Sequence, residues 1–223
     1  MKSRIFIVCA LVLCVVRTSA VELSLGPTIG YRGSINAANP GTGFVSGFAL
    51  GDRPDLGLSS RFLFDENIGI GFMVELEMSG YSYVSKLFDM NASGDSNTYM
   101  TRHRYTTFAP SLYIAGFQVG VGLMYSTGEE TKSLDKKNTY SPGTQSTLAY
   151  ELRVGGMIPV YKSDLGDLNL IVRASYMLDP HYSSSVYVHP NRKLPDGKNA
   201  LESNPQSASF SIGVNYMFSL VKI

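Results

Sequence analysis

Six charged residues stand inside segments that otherwise hold apolar and small residues: Arg61, Glu75, Glu77, Glu151, Arg153 and Arg173. The chain is sparing with charge, since only 17% of its 223 residues are Asp, Glu, Lys or Arg, against about 25% in an average soluble domain. Three carboxylates and three guanidiniums can pair into a static plug, or they can line a path for protons or ions. Other candidates for chemistry are few. His103, His181 and His189 are the only histidines, and none pairs with another at metal-ligand spacing, so neither a metal nor a cofactor is expected. The Lys132–Lys137 stretch mixes charges and reads as a solvated loop, and Gly120-Val121-Gly122 lies mid-strand as a packing position. A formal net charge of +1 excludes a nucleic-acid footprint.

What those six residues do depends on the elements that carry them. Residues 1–20 read as a secretory signal peptide, with Lys2 and Arg4, then an apolar run from Ile5 to Val16, then Thr18-Ser19-Ala20 before a cut at Val21. Cys9 and Cys14, the only cysteines, both lie in it, so the mature chain, residues 21–223, is expected to have no thiol chemistry.

The mature chain alternates with a period of two. Ile68, Ile70, Phe72, Val74, Leu76 and Met78 share one face, opposite Gly69, Gly71, Met73, Glu75 and Glu77. The same zigzag runs through Glu22–Arg32, Asp55–Phe64, Arg104–Ile114, Phe117–Tyr125, Leu148–Val160, Leu168–Leu178 and Ala208–Phe218. Strict alternation means strands between two unlike environments. Each segment is about the 9–11 residues that a tilted membrane-crossing strand needs. Short connections (Asp65-Glu66-Asn67, Ala115-Gly116, Tyr161–Asp167) alternate with four long ones (Gly33–Pro54, Ser79–His103, Ser126–Thr147, Asp179–Ser207). Fold class is therefore all-β: an eight-stranded antiparallel up-and-down transmembrane β-barrel. Ten strands is the alternative, because Thr42–Leu50 and Ser184–Val188 also have strand character.

In lipid the apolar face must point outward, because an Arg near the bilayer midplane costs roughly 2–4 kcal/mol. All six charged residues then face a lumen just wide enough for side chains to fill. A mutually paired plug is the expected arrangement, with an ion path as the other reading. Tyr31, Tyr125, Tyr150 and Tyr176 fall near the long-loop rim, and Phe64 and Phe117 near the short-turn rim, as interfacial aromatic girdles do.

The last strand reads Ser211-Ile212-Gly213-Val214-Asn215-Tyr216-Met217-Phe218. It resembles the C-terminal assembly signal of bacterial outer-membrane barrels, with Ser211, Gly213, Tyr216 and Phe218 at its positions, although five residues follow Phe218. With the signal peptide and eight strands, the mature chain resembles the small OmpA/OmpX-type outer-membrane β-barrels. That resemblance implies the outer membrane of a Gram-negative bacterium, the barrel-assembly machinery as a partner in biogenesis, and surface loops whose extracellular ligand is unknown. Outer-membrane lipids and lipopolysaccharide are the other expected partners, and Arg102-His103-Arg104 near an outer strand end could meet lipopolysaccharide phosphates.

His181-Tyr182-Ser183 is similar to the His-x-Ser pair of outer-membrane lipid A deacylases, in which the His activates the Ser. Here Ser184 replaces the usual Asn after the Ser, and Glu202 is the nearest acidic candidate; a polar loop entry is the plainer reading. Asn91-Ala92-Ser93 is a formal glycosylation sequon with no use in that compartment. The functional expectation is a non-enzymatic, porin-like barrel with a plugged lumen, acting structurally or through four long extracellular loops. A narrow channel and a lipid-modifying enzyme are the alternatives.

Overall fold

The computed structural model describes residues 22–40, 43–65, 68–87, 94–194 and 197–222. The expected signal peptide, the sequon at Asn91–Ser93 and both cysteines lie outside the described residues. The strands are β1 (Glu22–Asn36), β2 (Phe44–Leu50), β3 (Asp55–Asp65), β4 (Ile70–Leu87), β5 (Thr98–Ile114), β6 (Phe117–Ser133), β7 (Thr139–Tyr140), β8 (Leu148–Ser163), β9 (Gly166–Met177) and β10 (Ser207–Lys222). Every pairing is antiparallel, and β10 pairs back onto β1 from Glu22↔Lys222 to Asn36↔Ser207, so the sheet closes.

Ten strands make an eight-walled barrel. β2 and β3 both lie between β1 and β4, β2 against Tyr83–Leu87 and β3 against Ile70–Met78, so together they form one interrupted wall. β7 is a two-residue flap on β6. The Ser184–Val188 segment adds no wall, because only Val186 bridges, to Ser203.

The interruption at Gly51–Pro54 removes the partners that β4 would have near Gly80 and Ser82. Two inward side chains replace them. Asp55 accepts from the Gly80 N–H at 3.3 Å, and the Ser34 hydroxyl accepts from the Ser82 N–H at 2.6 Å while lying 2.7 Å from its carbonyl. Gly51 N–H is recovered by the Arg32 carbonyl at 2.9 Å. The Gly51, Gly80 and Ser82 N–H groups thus keep acceptors where the ladder is broken, as a wall beside lipid requires.

The zigzag faces lie as lipid demands. Leu58 is 53% exposed, Leu76 51% and Val160 64%, whereas Met73 and Glu151 are fully buried inside. Between β5 and β6, Ala115 and Gly116 take φ of 50° and 91°, the geometry of a two-residue hairpin. At the other rim the walls run further than alternation reveals: β4 extends to Leu87, β5 begins at Thr98, and β6 reaches Ser133. Much of three of the four expected long loops is thus barrel wall, and the described residues of the fourth, Asp179–Ser207, fold back over the mouth.

The closing seam depends on glycine. Gly30 pairs with Gly213 across β1 and β10, and a Cβ on Gly213 would meet the Ile29 carbonyl oxygen at 2.5 Å and the Gly30 Cα at 2.8 Å. Gly213→Val is expected to prevent closure. Semi-native electrophoresis of refolded protein checks it: the variant should lack a compact heat-modifiable band, and a wild-type band shift would refute the assignment.

Candidate functional site

The lumen is filled in layers. At the short-turn end lies a polar cavity of about 720 Å³, lined among others by Glu22, Arg61, Lys162 and Asp167. Leu63, Met73, Tyr113 and Met157 pack together at its inner end. Above them comes the charged layer, then Tyr81, Tyr105, Met124, Ala149 and Met177.

The charged layer is built because β4, β8 and β9 present inward residues at matching depth. Arg173 reaches Glu75 at 2.5 Å and Glu77 at 3.0 Å. Arg153 bonds to Glu77 and Glu151 and lies 3.6 Å from Glu75. Five of the six residues singled out in the sequence therefore meet. Arg61 does not: it sits lower, beside the cavity, with Glu22 at 2.6 Å and Asp167 at 3.5 Å, and its guanidinium lies 5.7 Å from the centre of the Tyr113 ring. The separation follows from depth, since Arg61 pairs in register with Met73, one inward step below Glu75.

Three further residues complete the layer. Arg32 of β1 binds Asp55 at 2.8 Å and Glu77 at 2.8 Å and approaches Glu151 at 3.6 Å. The Tyr81 hydroxyl donates to Glu151. Both Arg32 and Asp55 lie on the charged face of their zigzags, so the face itself was the available signal; their position at strand ends hid their depth. Glu77 is the keystone, because guanidiniums from β1, β8 and β9 all converge on it. This arrangement ties opposite walls across the lumen.

The other residues of interest are placed as follows. Tyr31, Tyr125, Tyr150 and Tyr176 face outward and are exposed, as is Phe117, while Phe64 packs edge-on against Phe62 and Phe72 at 5.2 and 5.1 Å. Ser211 faces inward and is buried, and Tyr216 and Phe218 touch edge-on on the outer face at 4.7 Å.

The segment 178–206 closes the mouth. Val186, Val188 and Leu194 pack on Phe44 and Leu87, Tyr182 donates to Glu129 at 2.8 Å, and His189 meets the Asn97 carbonyl at 2.8 Å. His181 reaches deepest. Its ring stacks on His103 with centroids 3.8 Å apart and planes 6° from parallel. Its Nδ1 meets the Tyr105 hydroxyl at 2.8 Å and its Nε2 the Ser207 hydroxyl at 2.7 Å. The His-x-Ser pair is not formed, since the Ser183 hydroxyl donates instead to the Thr144 carbonyl at 3.3 Å. Ser207, the serine that His181 does reach, is fully buried with it, leaving no surface on which a lipid could meet that pair. Among the described residues no cluster of His, Cys, Asp or Glu could hold a metal ion.

No family model matches the chain, and no curated protein does. The solved structures similar to it are bacterial outer-membrane β-barrels. They include the attachment invasion locus protein Ail of Yersinia pestis, solved with the heparin analogue sucrose octasulfate (11% identity, 88% of this chain and 99% of that one, TM-score 0.39). Outer membrane protein OprG of Pseudomonas aeruginosa is another (12% identity, 90% and 96% covered, TM-score 0.36). So is the outer membrane protease OmpT of Escherichia coli (10% identity, 92% and 96% covered, TM-score 0.30).

Two outcomes follow from the layers. Glu77→Ala strands three guanidiniums in a dry layer and is expected to lower stability by about 3–5 kcal/mol. Arg61→Ala, beside a cavity that admits water, should cost less. Urea titration of both refolded variants, read by tryptic protection, checks the order. The lid should also respond to pH. Burial, and then the neighbouring His103, hold the His181 imidazole well below its ordinary range, and burial lowers His189 too. A depressed folded value stabilises the lid fully above the unfolded value of about 6.5, and that contribution is lost as pH falls below it. The groups facing His181 are His103, Tyr81, Tyr83, Tyr105 and Ser207, none of them a carboxylate to offset a proton. Hydrogen exchange across 179–206 should therefore speed up between pH 7.5 and pH 5, and His181→Gln should flatten that dependence.

Proposed function

We propose that the chain is a porin-like outer-membrane β-barrel whose lumen is permanently plugged, acting as a structural or surface-interaction protein through its extracellular end. The observation that carries this reading is the pairing of an unbroken apolar outer belt with an interior closed at successive levels. Leu63, Met73, Tyr113 and Met157 pack together at one level, the charged layer crosses the lumen at the next, and the described residues of 179–206 pack over the mouth. A channel would need all three to open together. In this reading the short turns face the periplasm, the barrel-assembly machinery receives the last strand, and outer-membrane lipids surround the belt.

What is offered outward is the lid and its neighbours. Arg192 lies over Tyr187, 4.6 Å from the ring centre, and Tyr140 donates to the Tyr187 carbonyl at 2.8 Å. Lys136, Lys137 and Lys193 stand exposed beside them. The reading is non-enzymatic, and the buried His181–Ser207 contact gives the lipid-modifying alternative no accessible nucleophile.

Trypsin applied to intact cells should cut near Lys136 or Lys193 and spare Lys162, beside the Asp164–Leu165 turn. The reverse pattern would invert the topology. In planar bilayers the purified protein should give no reproducible open steps, whereas regular steps in the wild type would favour the channel.

A further inference from the structure

The outer wall carries a second polar feature that the plug does not use. Outward residues of β4 and β5 are apolar up to Met78, which pairs in register with Thr106. The next outward residues of β5 are Arg104, opposite Gly80, and Arg102, opposite Ser82. Two residues advance a strand by roughly 6.7 Å, so the guanidiniums begin one step above Met78. Here the wall is also indented, because Gly51–Pro54 interrupts β2 and β3. A pocket of about 400 Å³ lies in that indentation, lined by apolar Leu56 and Met78, by the cations Arg53, Arg102 and Arg104, and by the carboxylates Asp52 and Asp55, of which Asp55 is held by Arg32. A second pocket of about 360 Å³ adjoins it through Asp52 and Arg102 and adds Lys132 and Lys136.

The cations here are under-satisfied. Arg102 approaches Asp52 at 3.8 Å and Glu130 at 3.6 Å, both beyond hydrogen-bonding distance, and its Nε–H is buried with no acceptor. Lys132 already engages Glu130 at 2.5 Å. Among the described residues Arg53 makes no ion pair, and Arg104 acts on Glu130 only beyond contact distance. Guanidiniums with free forks above an apolar groove match a phosphate joined to an acyl chain.

We propose that this indentation is a binding site for a phosphorylated acyl lipid of the outer leaflet. The phosphate sits on Arg102 and Arg104, with Arg53 beside them, and an acyl chain runs down the groove between Leu56 and Met78. The site rests on the outer-membrane reading above and gives that reading a lipid partner of defined chemistry. It also explains why the wall is broken at this height: the break opens a recess where headgroups lie, and Ser34 and Asp55 repair the backbone from inside.

Native mass spectrometry of the full refolded chain in micelles, titrated with diphosphorylated lipid A, tests the site. One lipid should be retained saturably, and phosphatidylcholine should not be. Arg102→Ala with Arg104→Ala should raise the half-saturating concentration by about tenfold or more, the loss of two charge-assisted phosphate contacts. If that pair does not refold, Arg102→Lys with Arg104→Lys keeps the charge, loses the forks, and should still weaken retention by about threefold or more. Unchanged retention in the variants, equal retention of phosphatidylcholine, or displacement by millimolar inorganic phosphate would each overturn the site. A wild-type barrel that inserts and keeps its compact band yet retains no lipid overturns the site alone. A chain that never inserts overturns the outer-membrane reading and the site with it.

Discussion

A peptide N–H or C=O turned toward hydrocarbon has no water to bond to, and each one left bare costs several kcal/mol. The rest of this structure is organised around that constraint. The sheet must close, so β10 pairs with β1 along its whole length, with Gly30 against Gly213 where the two strands come close. An interruption in a wall is tolerable only where other acceptors and donors can be supplied. The one in the second wall falls opposite Gly80–Ser82, just above Met78, and Asp55 and Ser34 supply the bonds from within. Had it fallen at the level of Leu76, the same gap would face acyl chains.

Closure then dictates what the lumen holds. An apolar exterior leaves the inward positions as the place where polar residues go, and ions buried there must be paired. A well-packed apolar filling of the same volume is often at least as stable as a buried ion cluster, so stability alone does not account for Glu77 and its three guanidiniums. Register does. A one-residue slip of any strand turns its inward set outward. With Glu75, Glu77, Arg153 and Arg173 inside, a slip places charge in lipid, whereas an apolar lumen would make the slipped register nearly equivalent. The charged layer thus specifies which face is which, and its convergence on Glu77 fixes β1, β8 and β9 against β4 at one depth.

How much could be read from the sequence follows from the same contrast. Ile70–Met78 and Phe117–Tyr125 are plain in the sequence because one face meets lipid and the other a polar interior. Beyond Met78 the outer face becomes mixed, with Ser82, Lys86 and Arg102 beside Val84 and Met100, while Tyr83, Ser85 and His103 lie inside. Alternation fades there although the strand continues. β2 escapes for a related reason: it stands above the belt, and Pro54 ends it before β3 begins. In the lumen, facing was legible and partnership was not. Arg61 and Arg173 share a face type, but the stagger between strands sends Arg61 to Glu22 and Arg173 to Glu75. The contact of His181 with Ser207 joins the two ends of a long loop, and no period runs through such a segment.

These placements shift functional interest away from the axis of the barrel. Transport along it would require the lid to leave His103 and Glu129, the charged layer to part, and the Leu63–Met157 packing to open. These levels are linked, since Tyr81 donates to Glu151 of the charged layer and packs edge-on against His181 of the lid. The outer wall and rim have no such barrier. Their cations are already at the surface, loosely held, at the height where a bilayer changes from acyl chains to headgroups. In the plugged-barrel reading proposed above, the chemistry on offer is that of the outer wall, sideways to the membrane, and of the rim, upward to the medium.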